Sequence, residues 1–476
     1  MSHARQRPDS VAISDGQTNC SYRGLAENVV RLVDALAAIG IRRGQTIGIE
    51  TSDRFQHLLL VLACEALGAT TMSLQPFEFG HPMNLGRLFD HILASNPLPG
   101  FDADKTFVMT LNWLTQVLRT PVADHHLEAL QHRPDPEAVV RLTKSSGTAG
   151  TPKIMAVTHR LQELTILESP PNTISDDMVR SHLRFLCFYQ FSMRACHRRV
   201  MITLRLGGTV YFGAVDSAWN PIASGAVNYA VFTTGDLARF LRDAPLGVGP
   251  FNIHIEVIGA AFSPKLRQLT AQKLTKTIQA PYASNETGQI ADIDENNVGT
   301  LLPSVEVLIV DAKGNPQPFG LPGLIRVKCD KMVTGYVGAP ELSRETFVDG
   351  WFHSSDVGFQ PSARTLVVLG RADDMLNIGG MKIPPGPVIE QIKAIEGILD
   401  AAVAGVVNAA GSEVLLVAVE TGTSGPPPDF QAKIGVIIQQ YASAYVLLPL
   451  SVFPRTETGK VRNEAIRDAY RQTVQP

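Results

Sequence analysis

Apolar and polar positions along the first third of the chain switch between two periods. From Leu25 to Ile39, the residues Val29, Val30, Leu32, Val33, Leu36 and Ile39 recur at helical spacing, and Gly40 supplies a stop. Thr46–Glu50 is short and β-prone, and Phe55–Leu67 returns to helical spacing before Gly68 closes it. The alternation recurs through Leu183–Phe212 and Phe251–Ile258. Strands separated by helices in this way predict a mixed, mainly parallel sheet covered by helices. From about Gly299 the texture changes. Short β-rich runs at Ser304–Val310, Leu324–Cys329 and Thr365–Leu369 are divided by Gly, Pro and Asp turns. Beyond Arg371, strands at Ala401–Val407, Glu413–Val419 and Ser451–Phe453 alternate with helices at Pro387–Ile395, Phe430–Tyr441 and Arg462–Tyr470. The expected fold is α/β. A large N-terminal domain, residues 1–372, combines mixed, mainly parallel sheets and helices with a small β-rich subdomain, and residues 373–476 form a small α+β C-terminal domain.

The 476 residues exceed what one core usually holds, about 250–300, which agrees with two domains. Apolar residues make up 45% and charged residues 18%, a globular composition. Net charge is −3 with both signs interspersed, so neither a nucleic-acid surface nor a polybasic membrane patch is expected. Leu58–Ala69, the most apolar segment, is interrupted by Glu65 and is too short to span a bilayer. The start, Met1–Ser10, has no apolar stretch behind its charges and does not read as a secretory signal. The five cysteines (Cys20, Cys64, Cys187, Cys196, Cys329) show no Cys-x-x-Cys spacing, which argues against zinc or dithiol chemistry. A cytoplasmic protein is the expectation.

One segment carries most of the chemistry. Ser145, Ser146, Gly147, Thr148, Ala149, Gly150 and Thr151 lie between two β-prone runs and end in Pro152-Lys153. Small residues let backbone N–H groups approach an anion, hydroxyls add donors, and Lys153 adds a point charge. A Walker loop would need Gly-Lys-Ser/Thr running into a helix. Here Lys153 follows a proline and leads into the strand-like Ile154–Val157. Taken alone, such a loop reads equally as a solvated hairpin. The intact Ser-Gly-Thr-Ala-Gly-Thr-Pro-Lys string, however, resembles the phosphate-binding signature of the adenylate-forming superfamily, which includes acyl- and aryl-CoA synthetases, peptide-synthetase adenylation domains and luciferases.

Further elements resembling that superfamily follow in order. Pro281-Tyr-Ala-Ser-Asn-Glu-Thr-Gly288 is similar to its Tyr-Gly-x-Thr-Glu element, with Asn285 in place of threonine. The resemblance assigns Glu286 to Mg²⁺, a hard cation that favours oxygen ligands, and lays Tyr282 on the adenine. Gly259, Ala260 and Ala261 match the small-residue wall of the adenine and acyl pockets. Asp349-Gly-Trp-Phe-His-Ser-Ser-Asp356 resembles Gly-Trp-Phe-x-Thr/Ser-Gly-Asp, with Ser355 replacing glycine, so Asp356 would accept from both ribose hydroxyls. Leu369-Gly-Arg-Ala-Asp373 resembles the hinge element. It implies Arg371 at ribose and phosphate, Asp373 as the pivot of a mobile C-terminal domain, and Gly379 and Gly380 along the thiol channel. Phe453-Pro-Arg-Thr-Glu-Thr-Gly-Lys460 resembles the terminal signature whose lysine, Lys460, bridges substrate carboxylate and α-phosphate. The likeness extends to Pro8–Ala12, Ser21–Leu25 and Ala66–Ala69, and so spans nearly the whole chain.

What the resemblance implies is ATP-dependent activation of a small carboxylic acid to an acyl-AMP. The acyl group then passes to coenzyme A or to a phosphopantetheine on a separate acyl or peptidyl carrier protein. Transfer to an amine, and a nucleotide binder without catalysis, are the alternatives. The acyl pocket is expected around Phe191, Ser192, Arg194, Ala261 and Ala283. The Pro-Leu-Tyr/Phe-His string of many CoA synthetases is absent there. No aspartate stands ready for a substrate ammonium, and Arg194 leaves room for an acidic or hydroxylated acid. His197, Arg198 and Arg199 read as a solvated face.

Overall fold

The computed structural model describes residues 2–75, 87–122, 134–144, 153–167, 182–242, 249–259, 262–372, 375–378, 381–408, 411–422, 425–426, 428–455 and 461–474. The chain forms two compact units. The first comprises Met1–Ile258, Thr270–Ile290 and Lys328–Phe352, and the second Gly259–Leu269, Ala291–Val327 and His353–Pro476.

Two sheets organise the first unit. One runs in the order Ile278–Gln279, His254–Ile258, Tyr229–Thr233, Arg184–Cys187, Thr209–Phe212, Val11–Ser14 and Asn19–Ser21. Its pairs are parallel except the last, which is antiparallel. The other runs Thr106–Val108, His91–Ala94, Thr46–Glu50, Thr70–Ser73, Val139–Lys144 and Ile154–Thr158, parallel until the antiparallel final pair. Strands such as Thr46–Glu50 and Tyr229–Thr233 are buried almost throughout, as parallel strands covered on both faces must be.

The helices between strands start and stop where the side chains dictate. In Tyr22–Ala38, the Ser21 hydroxyl accepts from the Gly24 amide at 3.1 Å, and Leu25, Val29, Leu32 and Leu36 fill the buried stripe. In Arg54–Leu67, the Asp53 carboxylate accepts from the Gln56 amide at 2.9 Å, and Gly68 turns the chain at φ 75°. Leu32, Leu36, Ile47, Ile49 and Leu58 join Phe185, Val210 and Tyr229 in one core that reaches both sheets. A buried ion pair also crosses this core. Arg199, on the Arg194–Arg205 helix, donates to Glu256 at 2.7 and 2.6 Å, and the Tyr229 hydroxyl donates to the same carboxylate at 2.6 Å. Arg199 and His197 are 2% and 4% exposed, so the solvated-face reading of this helix is corrected. The helix lies against the Arg184–Cys187 and Thr209–Phe212 strands, which cover that face.

In the second unit, Gly299–Leu301, Thr365–Arg371, Trp351–Phe359, Gly323–Lys328 and Glu306–Val310 succeed one another in a β-rich sheet. Leu376–Ile378 and Met381–Ile383 make a short antiparallel ribbon. A three-stranded sheet follows, with Glu413–Glu420 at its centre, antiparallel to Asp400–Val407 and parallel to Tyr445–Leu450. The expected strand at Ser451–Phe453 is therefore misplaced: the strand ends at Leu450. Pro449 masks it in the sequence, yet proline is tolerated on an edge strand, and that is where Tyr445–Leu450 lies. Helices Pro385–Lys393 and Phe430–Ile438 pack on one face of this sheet, and Asn463–Val474 on the other. No helix among the described residues is long and apolar enough to cross a membrane.

Candidate active site

In the first unit the geometry begins at the hairpin of Val139–Lys144 and Ile154–Thr158, whose register pairs Lys144 with Ile154. Lys153 stands immediately before the second strand, as its sequence context implies, and Ser145, Ser146, Gly147, Thr148 and Gly150 lie outside the described residues. Lys153 Nζ sits 4.9 Å from the centre of the Tyr336 ring, a cation–π contact. Tyr336 is held beside the hairpin by a backbone bridge to Met155, and the Val337 amide donates to the Ile154 carbonyl at 2.7 Å.

The Tyr336 hydroxyl donates to Glu286 Oε1 at 3.0 Å. Burial, and then the Glu286 charge, push the Tyr336 phenol well above its ordinary range, so it remains a donor at neutral pH. Glu286 is 8% exposed and lies on the turn between Pro281–Ser284 and Gly288–Ile293. The Ser284 hydroxyl accepts from the Thr287 amide at 3.1 Å, and Gly288 takes φ 72°, a conformation that favours glycine. Asn285 ties this turn to the hairpin, its Nδ2 donating to the Lys144 carbonyl at 3.0 Å. Arg194 donates to the Asn285 carbonyl from the other side. Lys153, Glu286 and Asn285, far apart in sequence, are thus joined through Tyr336 and Lys144.

Lys144 and Tyr336 are the residues of this cluster that sequence reasoning did not single out. Burial lowers the Lys144 ammonium to about 8. The available signal was a lysine closing the strand that leads into the Ser/Thr/Gly-rich segment. Of the expected acyl-pocket residues, Phe191 is fully buried, with its ring 5.2 Å from that of His57 and 5.9 Å from that of His197. Ser192 accepts from Gln75, and Ala283 is exposed next to the half-buried Tyr282.

In the second unit, Asp356 and Arg371 are register partners across the Trp351–Phe359 and Thr365–Arg371 strands. Arg371 Nη1 approaches Asp356 Oδ1 to 3.9 Å, and the Asp356 amide donates to the Ser354 hydroxyl at 3.1 Å. Gly259 has φ 94°, and Ala260 and Ala261 lie outside the described residues. So do Asp373, Gly379, Gly380 and Lys460. On either side of the segment that contains Lys460, Arg455 forms a bridge with Val461. The Arg455 guanidinium also holds Asp400 at 2.8 Å and Glu420 at 2.5 Å, two carboxylates that face each other across their strands.

Among the described residues there is no group of three or more His, Cys, Asp or Glu able to cage a metal. One buried carboxylate, Glu286, does suit Mg²⁺, which usually takes one or two carboxylates and completes its shell with water and substrate phosphates.

Residues 2–83 and 92–337 match the family described as AMP-binding enzyme. The chain belongs to that family. This AMP-binding enzyme is an adenylate-forming ligase, and its relatives are named for such reactions. A salicylyl-CoA synthase / salicylate adenylyltransferase of Streptomyces sp is 25% identical over 516 residues, covering 97% of this chain and 91% of that protein. A feruloyl-CoA synthase of Amycolatopsis sp is 26% identical over 436 residues, 86% of this chain and 85% of the relative. Among solved structures, the o-succinylbenzoate CoA synthetase of Bacillus subtilis in complex with its acyl-adenylate intermediate superposes with a TM-score of 0.80. It covers 98% of this chain and 97% of that one at 20% identity, and so shares the fold.

Proposed function

We propose that the protein activates a carboxylic acid with ATP to an acyl-AMP and transfers the acyl group to the thiol of coenzyme A or of a carrier-protein phosphopantetheine. The observation that carries this reading is the convergence on Tyr336, whose hydroxyl meets Glu286 at 3.0 Å and whose ring lies 4.9 Å from Lys153 Nζ. A phosphate lysine and a cation-binding carboxylate beside one hairpin are what a triphosphate requires. The names of the relatives, CoA synthases, support the thiol acceptor.

In the first step a substrate carboxylate oxygen attacks the α-phosphorus, the bond to the bridging oxygen breaks, and pyrophosphate leaves. Such a displacement needs in-line placement and neutralised charge rather than covalent help. The Ser145–Gly150 segment and Lys153 receive the departing pyrophosphate. Glu286 would hold Mg²⁺, and the bound ion would offset repulsion among the phosphates. Asn285 Nδ2, one hydrogen of which is on the Lys144 carbonyl, offers its other hydrogen to a phosphate, Tyr282 and Gly259–Ala260 receive the adenine, and Asp356 and Arg371 take the ribose. Lys460 stabilises charge at the α-phosphate. In the second step the thiol sulfur bonds to the acyl carbon, AMP departs with its oxygen, and the thiol proton is released. Asp373 is the pivot that alternates the steps, and Gly379 and Gly380 line the thiol path. Phe191, Ser192, Arg194, Ala261 and Ala283 shape the acyl pocket.

The test is acid-dependent ATP–pyrophosphate exchange over fatty, aryl and amino acids, followed by mass analysis of coenzyme A and carrier acceptors. Exchange with acylated thiol is expected. Exchange with both thiols left unmodified would move the acceptor to an amine, and no exchange with any acid would overturn adenylation.

A further inference from the structure

The Val139–Lys144 strand ends on the nucleotide side of the candidate site, where the Lys144 carbonyl accepts from Asn285 Nδ2 at 3.0 Å. Three residues earlier the same strand carries Arg141. Side chains alternate between the faces of a strand. Leu142 joins the apolar cluster of Met72, Ile92 and Ile154, so Arg141 faces the other way. Its guanidinium is buried and in use. Nη2 donates to the Phe191 carbonyl at 2.6 Å and to the Ser73 hydroxyl at 2.7 Å, and Nη1 donates to the Thr71 hydroxyl at 3.4 Å. The Ser73 oxygen also lies 2.9 Å from His57 Nε2, and the His57 ring packs 5.2 Å from that of Phe191. Arg141 thereby ties the turn that carries Phe191 to the neighbouring strand Thr70–Ser73.

Stability alone does not call for an arginine here. A charge taken out of water is costly, and exchanging buried charged groups for apolar side chains of similar volume is often neutral or stabilising. What an apolar side chain cannot do is grip a backbone carbonyl. The carbonyl gripped here belongs to the peptide between Phe191 and Ser192. The Phe191 ring is fully buried, but Gln190 and Ser192 on either side of it line a cavity of about 100 Å³ together with Glu50, His57, Leu74 and Gln75. Gln75 donates to the Ser192 hydroxyl and steadies the same wall.

One strand thus touches both sides of the reaction, the nucleotide side through Lys144 and the acid side through Arg141, about 10 Å apart at about 3.3 Å per residue. We propose that Arg141 is a positioning residue for the acid: by holding the Phe191 carbonyl it fixes the Gln190–Ser192 wall relative to the phosphate hairpin, without touching substrate itself. This rests on the reading that Phe191 and Ser192 shape the acyl pocket. In-line attack on the α-phosphorus demands close placement, and a misplacement of about 1 Å can cost about 10²-fold. Loosening this grip should therefore be felt by the acid and not by ATP.

Pyrophosphate exchange on the full-length protein compares the native enzyme with Arg141→Met, Arg141→Lys and Ser73→Ala, offering benzoate, butyrate, succinate and glycine as acids. Arg141→Met keeps the bulk of the side chain and removes its donors. It should raise KM for the acid and lower kcat, for a loss of about 10–100-fold in kcat/KM, with KM for ATP close to native. Arg141→Lys keeps the charge and a donor and should recover part of that loss. Ser73→Ala removes one tether and leaves the bond to Phe191, so KM for the acid should rise by only about two- to tenfold; this variant carries the test if Arg141→Met does not fold. A thermal-shift titration with the same acids and no nucleotide reads acid binding apart from catalysis, and the rise in Tm seen with the native enzyme should shrink in the variants. Parallel rises in KM for acid and ATP, or equal acid responses in native enzyme and variants, overturn the inference and leave adenylation intact. No exchange by the native enzyme with any acid, alongside an acid-specific Tm rise that Arg141→Met abolishes, would instead sink adenylation and leave the positioning role standing.

Discussion

Asp356 and Arg371 occupy opposite positions of one antiparallel strand pair, their side chains 3.9 Å apart. A carboxylate able to accept two hydroxyls and a guanidinium able to reach ribose or phosphate are therefore spaced by the sheet itself rather than by a loop. Hydrogen bonds to a charged group contribute about 1.5–3 kcal/mol, roughly 10–100-fold in affinity. Asp356→Ala should raise the KM for ATP by about that factor, with a smaller change in the KM for the acid. ATP-dependent exchange kinetics check this, and an unchanged KM for ATP would remove Asp356 from the nucleotide.

Tyr336 separates two effects that other positions would mix. Tyr336→Phe keeps the ring beneath Lys153 and removes only the hydroxyl that meets Glu286. It should cost less than about tenfold in exchange rate, mostly through weaker positioning. Glu286→Gln removes the charge of the proposed Mg²⁺ ligand and should cost about 10²–10³, the scale of one preorganised electrostatic group. Titrating Mg²⁺ against both variants distinguishes them, because only Glu286→Gln should need markedly more of the ion. Equal magnesium curves for wild type and Glu286→Gln would refute the assignment.

The two half-reactions should come apart on mutation. Lys460→Ala is expected to lower adenylation at least about 100-fold, while thioester formation from supplied acyl-AMP changes far less. Asp373→Pro is expected to do the reverse if Asp373 is the proposed pivot, because proline fixes φ. Pyrophosphate exchange and single-turnover thiolysis measure the steps separately. Parallel losses in both assays for Asp373→Pro would count against a pivot.

Acid should weaken the fold through His57. Burial, and then the Arg141 charge, lower this imidazole to about 3, and its Nε2 lies 2.9 Å from the Ser73 hydroxyl oxygen. An unfolded histidine takes up a proton near pH 6.5, so the unfolded state binds more protons below that point. The stability held at pH 7 is therefore lost progressively as pH falls from about 6.5 toward 3, reaching about 2 kcal/mol at pH 5. Urea unfolding at pH 7 and pH 5 should show a smaller difference for His57→Gln than for wild type. Identical differences would mean that His57 titrates normally in the fold.

The parts legible in sequence were local ones. The Gly40 and Gly68 stops, the strands Val139–Lys144 and Ile154–Thr158 and the turn bearing Glu286 are set by residues a few places apart, where propensity and turn chemistry act directly. What stayed hidden depends on packing between distant segments. Arg141 sits in Val139–Lys144 like a polar residue on a half-exposed strand, yet it is 2% exposed, because that sheet is covered on both faces. Arg199 finds Glu256 only once a helix crosses a strand from elsewhere in the chain, and Tyr336 reaches Lys153 and Glu286 across similarly long separations. No periodicity encodes such pairings. Tyr445–Leu450 escaped notice for a different reason, since Pro449 reads as a breaker until its edge position is known.

Arg455 fastens two strands at once. Its guanidinium bridges Asp400 and Glu420, and its backbone pairs with Val461. Arg455→Leu would leave Asp400 and Glu420 facing each other as like charges across their strands, so that rung of the small sheet should be the first to open.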